Sequence, residues 1–448
     1  MNRALDKLYR IASFSLFVSV TVLLCTFSFG TAFGQQEKQG EQSSNVESVD
    51  VVKVGQTGKA KSGYKGRPGI GGPTSVGAQL EEDDEIKDPA VRFPKIDKFL
   101  QPWFDWKKWL NEQYGLQLGL DYNILYQNAS ETLTSEDQAA SGALRLFGRW
   151  TLLNRETKDT GTLVFKVENR HRLGTDIPPS QLGFDVGYNG ITGTLFSDVG
   201  SVLVDLNWQQ FFNNGQGAFI LGRYDPNDYM DVLGYSNPWT TFSNLSILVN
   251  TSIALPDSSM GIGAAHAFKD HWVIRGAIND ANGVIDEVDV FKDGAEFFKF
   301  VQLDWQPSIK DRYFKNVHVT LWHVDEREEA AVPESKGVAI GANWTFNQKF
   351  MPFIRAGWSD GAAPMMNKTA TVGFIHRFHK SDLASLGFNW GDPSNDALRD
   401  QYSTELFYRF QLSQNLAITP SVQLLIDPAL NPIEDQIWVF GLRMRLAL

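Results

Sequence analysis

From Gly115 onward the sequence runs with a period of two. Segments of roughly ten residues, divided by Gly, Asn, Asp and Pro clusters, carry large apolar side chains on one parity and charged or small ones on the other. The last segment, QIWVFGLRMRLAL, states the pattern most plainly. Trp438, Phe440, Leu442, Met444, Leu446 and Leu448 share one parity, and Gly441, Arg443, Arg445 and Ala447 share the other. Side chains alternate across a strand, so this segment has one greasy face and one that carries two arginines. A soluble sheet buries its apolar face and must protect its edges. A closed barrel in a bilayer turns the apolar face outward to lipid and the charged face toward a wet lumen.

The same split recurs. In GALRLFGRWTLL, Leu144, Leu146, Trp150 and Leu152 oppose Arg145, Phe147, Arg149 and Thr151. In TLVFKVENRHRL, Leu163, Phe165 and Val167 oppose Lys166, Glu168, Arg170 and Arg172; in SVLVDLNWQQF, Val202, Val204, Leu206 and Trp208 oppose Asp205, Asn207 and Gln209. GAFILGRY, HWVIRGAIND, FMPFIRAGW, TVGFIHRF and STELFYRF repeat it. Trp150, Trp208, Trp272, Trp305, Trp358, Trp390 and Trp438 fall near segment ends, where an interfacial girdle needs them. The pattern predicts an all-β fold, a transmembrane antiparallel β-barrel of about sixteen strands over residues 115–448.

Ahead of the barrel, KIDKFLQPWFDWKKWLNEQY changes period. Phe99, Trp103, Trp106 and Leu110 recur at helical spacing, which predicts one short amphipathic helix within residues 91–114, with Pro102 near its first turn. Residues 35–90 are rich in Gly, Gln, Ser, Lys and Glu, with GRPGIGGP and then EEDDE, too little apolar surface to offset the entropy of ordering. A disordered periplasmic linker is expected there, with a wall-binding arm as the alternative. Arg3, Lys7 and Arg10 precede an apolar run from Ile11 to Phe29, and Ala32-Phe33-Gly34 offers a signal-peptidase site, so residues 1–34 read as a signal peptide, or as an anchor if left uncleaved. The single cysteine, Cys25, lies inside that segment behind Leu24, an unsuitable neighbour for lipidation; cleavage leaves no thiol for disulfides, metals or nucleophilic attack. After the signal no apolar run is long enough for a spanning helix, and lipid then admits only a barrel.

The closing block, QYSTELFYRFQLSQNLAITPSVQLLIDPALNP followed by IWVFGLRMRLAL, resembles the OprB-type carbohydrate-selective porins of the bacterial outer membrane. The shared elements are Glu405, Thr419-Pro420, Gln423, Asp427-Pro428 and Gly441-Leu442-Arg443, with GTLVFKVENRH, AFILGRYDPNDYM and ALPDSSMGIGAAHAF in matching order upstream. The resemblance covers residues 99–448. It implies a sixteen-stranded outer-membrane barrel of a Gram-negative cell that passes sugars by diffusion, through a constriction lined by arginines, carboxylates and some aromatics. Leu448 departs from the terminal Phe common in outer-membrane proteins.

A sugar offers only hydroxyls, so a wall with Arg forks beside carboxylate acceptors gives each a partner without trapping the solute. Parity selects the candidates: Arg145, Arg149, Lys166, Glu168, Arg170, Arg172, Asp205, Asn207, Arg223, Arg275, Arg355, Glu405, Arg409, Arg443 and Arg445, with Arg377 beside them. Glu168, Arg170, Arg223 and Arg443 lead the set. Each could equally solvate a water-filled wall. DPNDYMD, with Asp225, Asp228 and Asp231, reads either as a loop folding toward the mouth or as an ordinary polar loop.

The expected partners are sugars and outer-membrane lipid, in a monomer or homotrimer. A net charge of −11 argues against nucleic acid. No cofactor, metal or enzymatic site is expected. NDANGVIDEVD, residues 279–289, has oxygen ligands but not EF-hand spacing. His376 and His379 fall on opposite faces of a strand, HVDE at His323 lacks a helix, and neither a nucleophile elbow nor a phosphate loop occurs. The rival readings are a general or anion-selective porin, a barrel enzyme without a visible catalytic set, and a barrel anchor with a cell-wall-binding arm.

Overall fold

The computed structural model describes residues 62, 64 and 70–448, except 270, 289, 292, 293, 379 and 380. The signal segment with Cys25, most of the expected linker, Asp289 and His379 lie outside the described residues. Sixteen strands form one closed antiparallel barrel, each paired with its neighbours in sequence and β1 paired with β16. In chain order they are β1 Leu116–Ala129, β2 Gln138–Leu153, β3 Gly161–Arg172, β4 Gly200–Phe212, β5 Gly217–Tyr224, β6 Ser259–Phe268, β7 Trp272–Asp280 and β8 Phe297–Trp305. The second half comprises β9 Lys315–Val324, β10 Ser335–Trp344, β11 Phe350–Asp360, β12 Met366–Arg377, β13 Leu383–Pro393, β14 Gln401–Gln411, β15 Leu416–Ile426 and β16 Gln436–Ala447. Closure leaves no unpaired strand edge, as hydrocarbon requires. No helix among the described residues is long and apolar enough to cross a membrane.

The outward parity exposes Leu144, Leu146, Leu206, Leu221, Leu321, Ile340, Ile354, Leu406 and Phe440, with Trp150, Trp272, Trp358 and Trp438 near strand ends. On β16, Ile437, Val439, Arg443, Arg445 and Ala447 are buried inward. Parity breaks at bulges, and the clearest case is on β4. A register shift between Lys166 and Val167 sets Lys166 opposite Asp205 but Glu168 opposite Val202. Residues directly opposite on neighbouring strands share a face, and a bulge turns the remainder of a strand over. Val202 and Val204, expected on the lipid side, are therefore buried.

Strand direction separates the two rims. Short turns over 154–160, 213–216 and 269–271 lie at the rim where β1 starts and β16 ends; the long connections 173–199, 225–258 and 281–296 lie at the other. In outer-membrane barrels short turns are periplasmic and long loops extracellular. The 225–258 loop does not stay outside: Leu233, Tyr235, Trp239, Phe242, Ile247 and Leu248 are buried. All but Trp239 pack on an apolar stretch of lumen wall made by Met351, Phe353, Ile375 and Phe407, while Trp239 clusters with Leu125, Ala143 and Phe196.

Among the described residues two helices precede β1. Helix α1, Val76–Asp84, falls inside the expected linker, and helix α2, Pro94–Tyr114, carries the predicted aromatic repeat. The expected disordered stretch therefore gives way before residue 90. Val76 and Leu80, one helical turn apart, are buried with Tyr64 against the inward-facing Phe147 and Val164. Apolar area too small to fold alone is enough when a barrel wall supplies the other half. Helix α2 begins at Pro94, which puts Pro102 in its interior, and it ends on Gly115 in the left-handed region, φ 71°, whose N–H donates to the carbonyls of Leu110 and Asn111.

Candidate functional site

The inward parity of β1 to β3 and β14 to β16 builds a charged wall. Asp121 on β1 accepts from Nε of Arg145 on β2 at 2.8 Å, and from Arg445 on β16 at 2.8 Å. Arg145 stands 3.9 Å from Glu168, whose carboxylate takes Nε of Arg170 at 2.8 Å. Arg145 also lies over the Trp239 ring, 4.2 Å from its centroid, and Phe196 meets that ring edge-on at 5.2 Å. A guanidinium over an indole is held by the ring quadrupole while its edge still donates hydrogen bonds. Lys166 bridges Asp205 at 2.8 Å and Asp228 at 3.1 Å. Every one of these cations has a carboxylate within reach.

A second group of inward residues fastens the folded-in loops. Glu405 accepts from the amides of Ser243 and Asn244 and from the Ser243 hydroxyl, all within 3.0 Å. Arg443 donates to the carbonyls of Pro238, at 2.6 Å, and Thr241. Arg355 donates to the carbonyl of Leu248 at 2.7 Å and pairs with Asp231 at 2.9 Å; His318 reaches the same carboxylate at 2.8 Å. DPNDYMD thus folds into the lumen. Arg223 donates to the Leu203 carbonyl at 2.7 Å and, across to the 281–296 connection, to that of Val284 at 2.6 Å. Asn207 donates to the Arg223 carbonyl at 3.2 Å.

The remaining candidates face the N-terminal segment. Arg445 grips Asp83 through two bonds of 2.7 and 2.8 Å, Arg409 meets Glu82 at 3.2 Å, and Arg149 is buried beside α1. Arg275 pairs with Asp304 at 2.9 Å and donates to the Ile70 carbonyl at 3.4 Å. Arg172 is the exception: it is exposed at the end of β3, where it pairs with Asp198 at 2.5 Å. Arg377 is likewise exposed.

Parity missed Asp121, although LQLGLDYNILYQ puts it in phase with Asn123 and Gln127, all three buried. It also missed Trp239, Asp228 and Asp231, because a loop has no period to betray which way it folds. In the 279–289 segment the Asp280 carboxylate accepts from the amides of Asn282 and Phe291, and Asn279 bonds Tyr224, so these oxygens serve the loop itself.

A closed sixteen-stranded barrel with an apolar outside and an ion-paired lumen defines an outer-membrane porin. The comparisons narrow the class. The sequence profile of the family described as "Carbohydrate-selective porin, OprB family" matches residues 311–448. Porin AaxA of Chlamydia pneumoniae is 20% identical over 356 residues, 74% of this chain and 79% of that protein. The solved structure "High pH structure of Pseudomonas putida OprB" shares the fold at 12% identity with a TM-score of 0.64, covering 77% of this chain and 97% of that one. The resemblance to the OprB family carried by the closing strands is thus found in both sequence and fold. The matched profile is that of a porin family, and the barrel fold is shared with the solved OprB.

Proposed function

We propose that this porin passes carbohydrates, mono- or small oligosaccharides, by passive diffusion along the wall formed by Arg145, Arg149, Lys166, Glu168, Arg170, Asp205 and Arg445. The observation that carries the reading is the neutralised wall beside an aromatic: Arg145 with Asp121, Arg170 with Glu168 and Lys166 with Asp205, next to the Trp239 ring. A hydroxyl crossing such a wall exchanges water for donors and acceptors that alternate over a few ångströms, at little net field. An anion-selective pore needs unbalanced positive charge, and these cations are matched by carboxylates. Glu405, Arg443, Arg355 and Arg223 act through the loops that they hold, and so set the width of the passage.

Swelling of liposomes loaded with the purified protein tests the reading. Glucose and disaccharides should enter faster than amino acids of similar size. Equal rates for all solutes would end the carbohydrate reading. Glu168→Gln, which removes the charged partner of Arg170, should raise the half-saturating sugar concentration about tenfold or more, in line with the roughly 1.5–3 kcal/mol of a charge-assisted hydrogen bond.

A further inference from the structure

The N-terminal segment lies across the lumen that a solute must cross. Its Ile70 carbonyl accepts from the Tyr313 hydroxyl at 2.9 Å and from Arg275 of β7 at 3.4 Å. Gly72 donates its N–H to the Asp228 carbonyl at 2.6 Å, and the Pro73 carbonyl takes the Asn237 amide at 3.3 Å. Helix α1 then runs to Glu82 and Asp83 on Arg409 of β14 and Arg445 of β16. In the closed ring β7 stands almost opposite β14 and β16. The backbone leaves at the near rim, where Ala90 and Val91 donate to the carbonyls of Gln411 and Leu412.

Two observations indicate that the segment is docked rather than built in. A helix of nine residues is marginal alone, and α1 places Glu81, Glu82, Asp83 and Asp84 in its last turn, against the negative end of its own dipole. Those acids disfavour the isolated helix. Glu82 and Asp83 find their partners in the barrel arginines Arg409 and Arg445, while Asp84 accepts from the backbone amides of Ser62 and Tyr64. The apolar contribution is modest: Val76 and Leu80 with Tyr64 on Phe147 and Val164, and Ile70 beside Ile220, Tyr224 and Tyr229. The segment also follows a stretch of Gly- and Lys-rich chain and precedes a helix at the rim, so release needs no strand to break.

We infer that residues 70–87 are an intramolecular plug, which closes the pore by occupying a carboxylate-binding site on Arg409 and Arg445 and opens it by leaving that site. The inference rests on the reading of the lumen as a solute path. Which solute the pore prefers is immaterial to it.

Ionic conductance of the full chain in planar bilayers, in plain potassium chloride, tests it. A reversible lock comes from Gly72→Cys with Val232→Cys in a Cys25→Ala background. A Cβ on Gly72 would lie 3.0 Å from that of Val232, a small adjustment from the 3.5–4.5 Å of a disulfide. Oxidation should silence the channel, and a reductant should restore it within the same membrane. Glu82→Gln with Asp83→Asn should raise the open fraction about tenfold or more, because each loses a charged partner buried in the barrel. An oxidised lock that conducts like the reduced protein would overturn the plug. So would a double variant with the wild-type open fraction. Salt conductance reads plugging whatever the sugar-swelling result, so failure of one reading remains separable from failure of the other.

Discussion

Glu82 sits where three cations converge. Burial alone would raise its carboxyl, but Arg409, Lys87 and Arg445 outweigh burial and the neighbouring Asp83, and they hold it below the usual carboxylate range. The sign of the pH effect follows. A carboxyl that ionises more readily when docked contributes to docking at any pH above its released value, about 4.3, and loses that contribution as pH falls through the docked value. Conductance should therefore stay level from about pH 8 down to about pH 5 and rise in stronger acid. Glu82→Gln should flatten that acid step. Conductance titrations of both chains measure the difference.

At the scale of elements, the joint between α2 and β1 depends on one backbone conformation. Gly115 has φ 71°, and a Cβ there would meet the Thr151 carbonyl oxygen at 2.7 Å. Gly174 has the same φ, but nothing lies within 4 Å of its would-be Cβ. Both Gly→Ala changes carry the left-handed penalty of about 1–2 kcal/mol, and only Gly115→Ala adds a clash with backbone. Its urea midpoint in lipid vesicles should fall further than that of Gly174→Ala. The elements were legible in the sequence to different depths. Strands were, because a barrel wall offers two environments and a side chain's parity decides between them. Val202 and Val204 were not, because a bulge is set by the register with β3 and leaves no mark on β4 alone. Met351, Phe353, Ile375 and Phe407 have the lumen parity yet are apolar, since a loop from residues 225–258 covers them. Helix α1 was least legible: it is short and acidic, and its anchor, Arg445, lies 362 residues away from Asp83.

For the molecule as a whole, lipid and lumen set opposite rules on the two faces of one strand. Leu406, midway along β14, is exposed outward, while its neighbour Glu405 is buried inward. Leu406→Arg should cost about 2–4 kcal/mol in the bilayer, the penalty for a cation near the midplane. Urea unfolding from vesicles would register it. A loss much smaller than this would place β14 higher or lower in the membrane than its midpoint suggests.

The barrel is sealed by its first and last strands, and Arg445 sits on that seam. It holds Asp121 across the β1–β16 ladder and Asp83 of α1 at the same time. One guanidinium thus rivets three parts of the chain, and its full set of bonds exists only when the cylinder is zipped and the N-terminal helix is inside. Sealing the wall and filling the bore are consequently coupled in energy rather than in order. A chain that zips empty leaves this rivet half set, and the bore can still be filled afterwards from the rim where the zip ends.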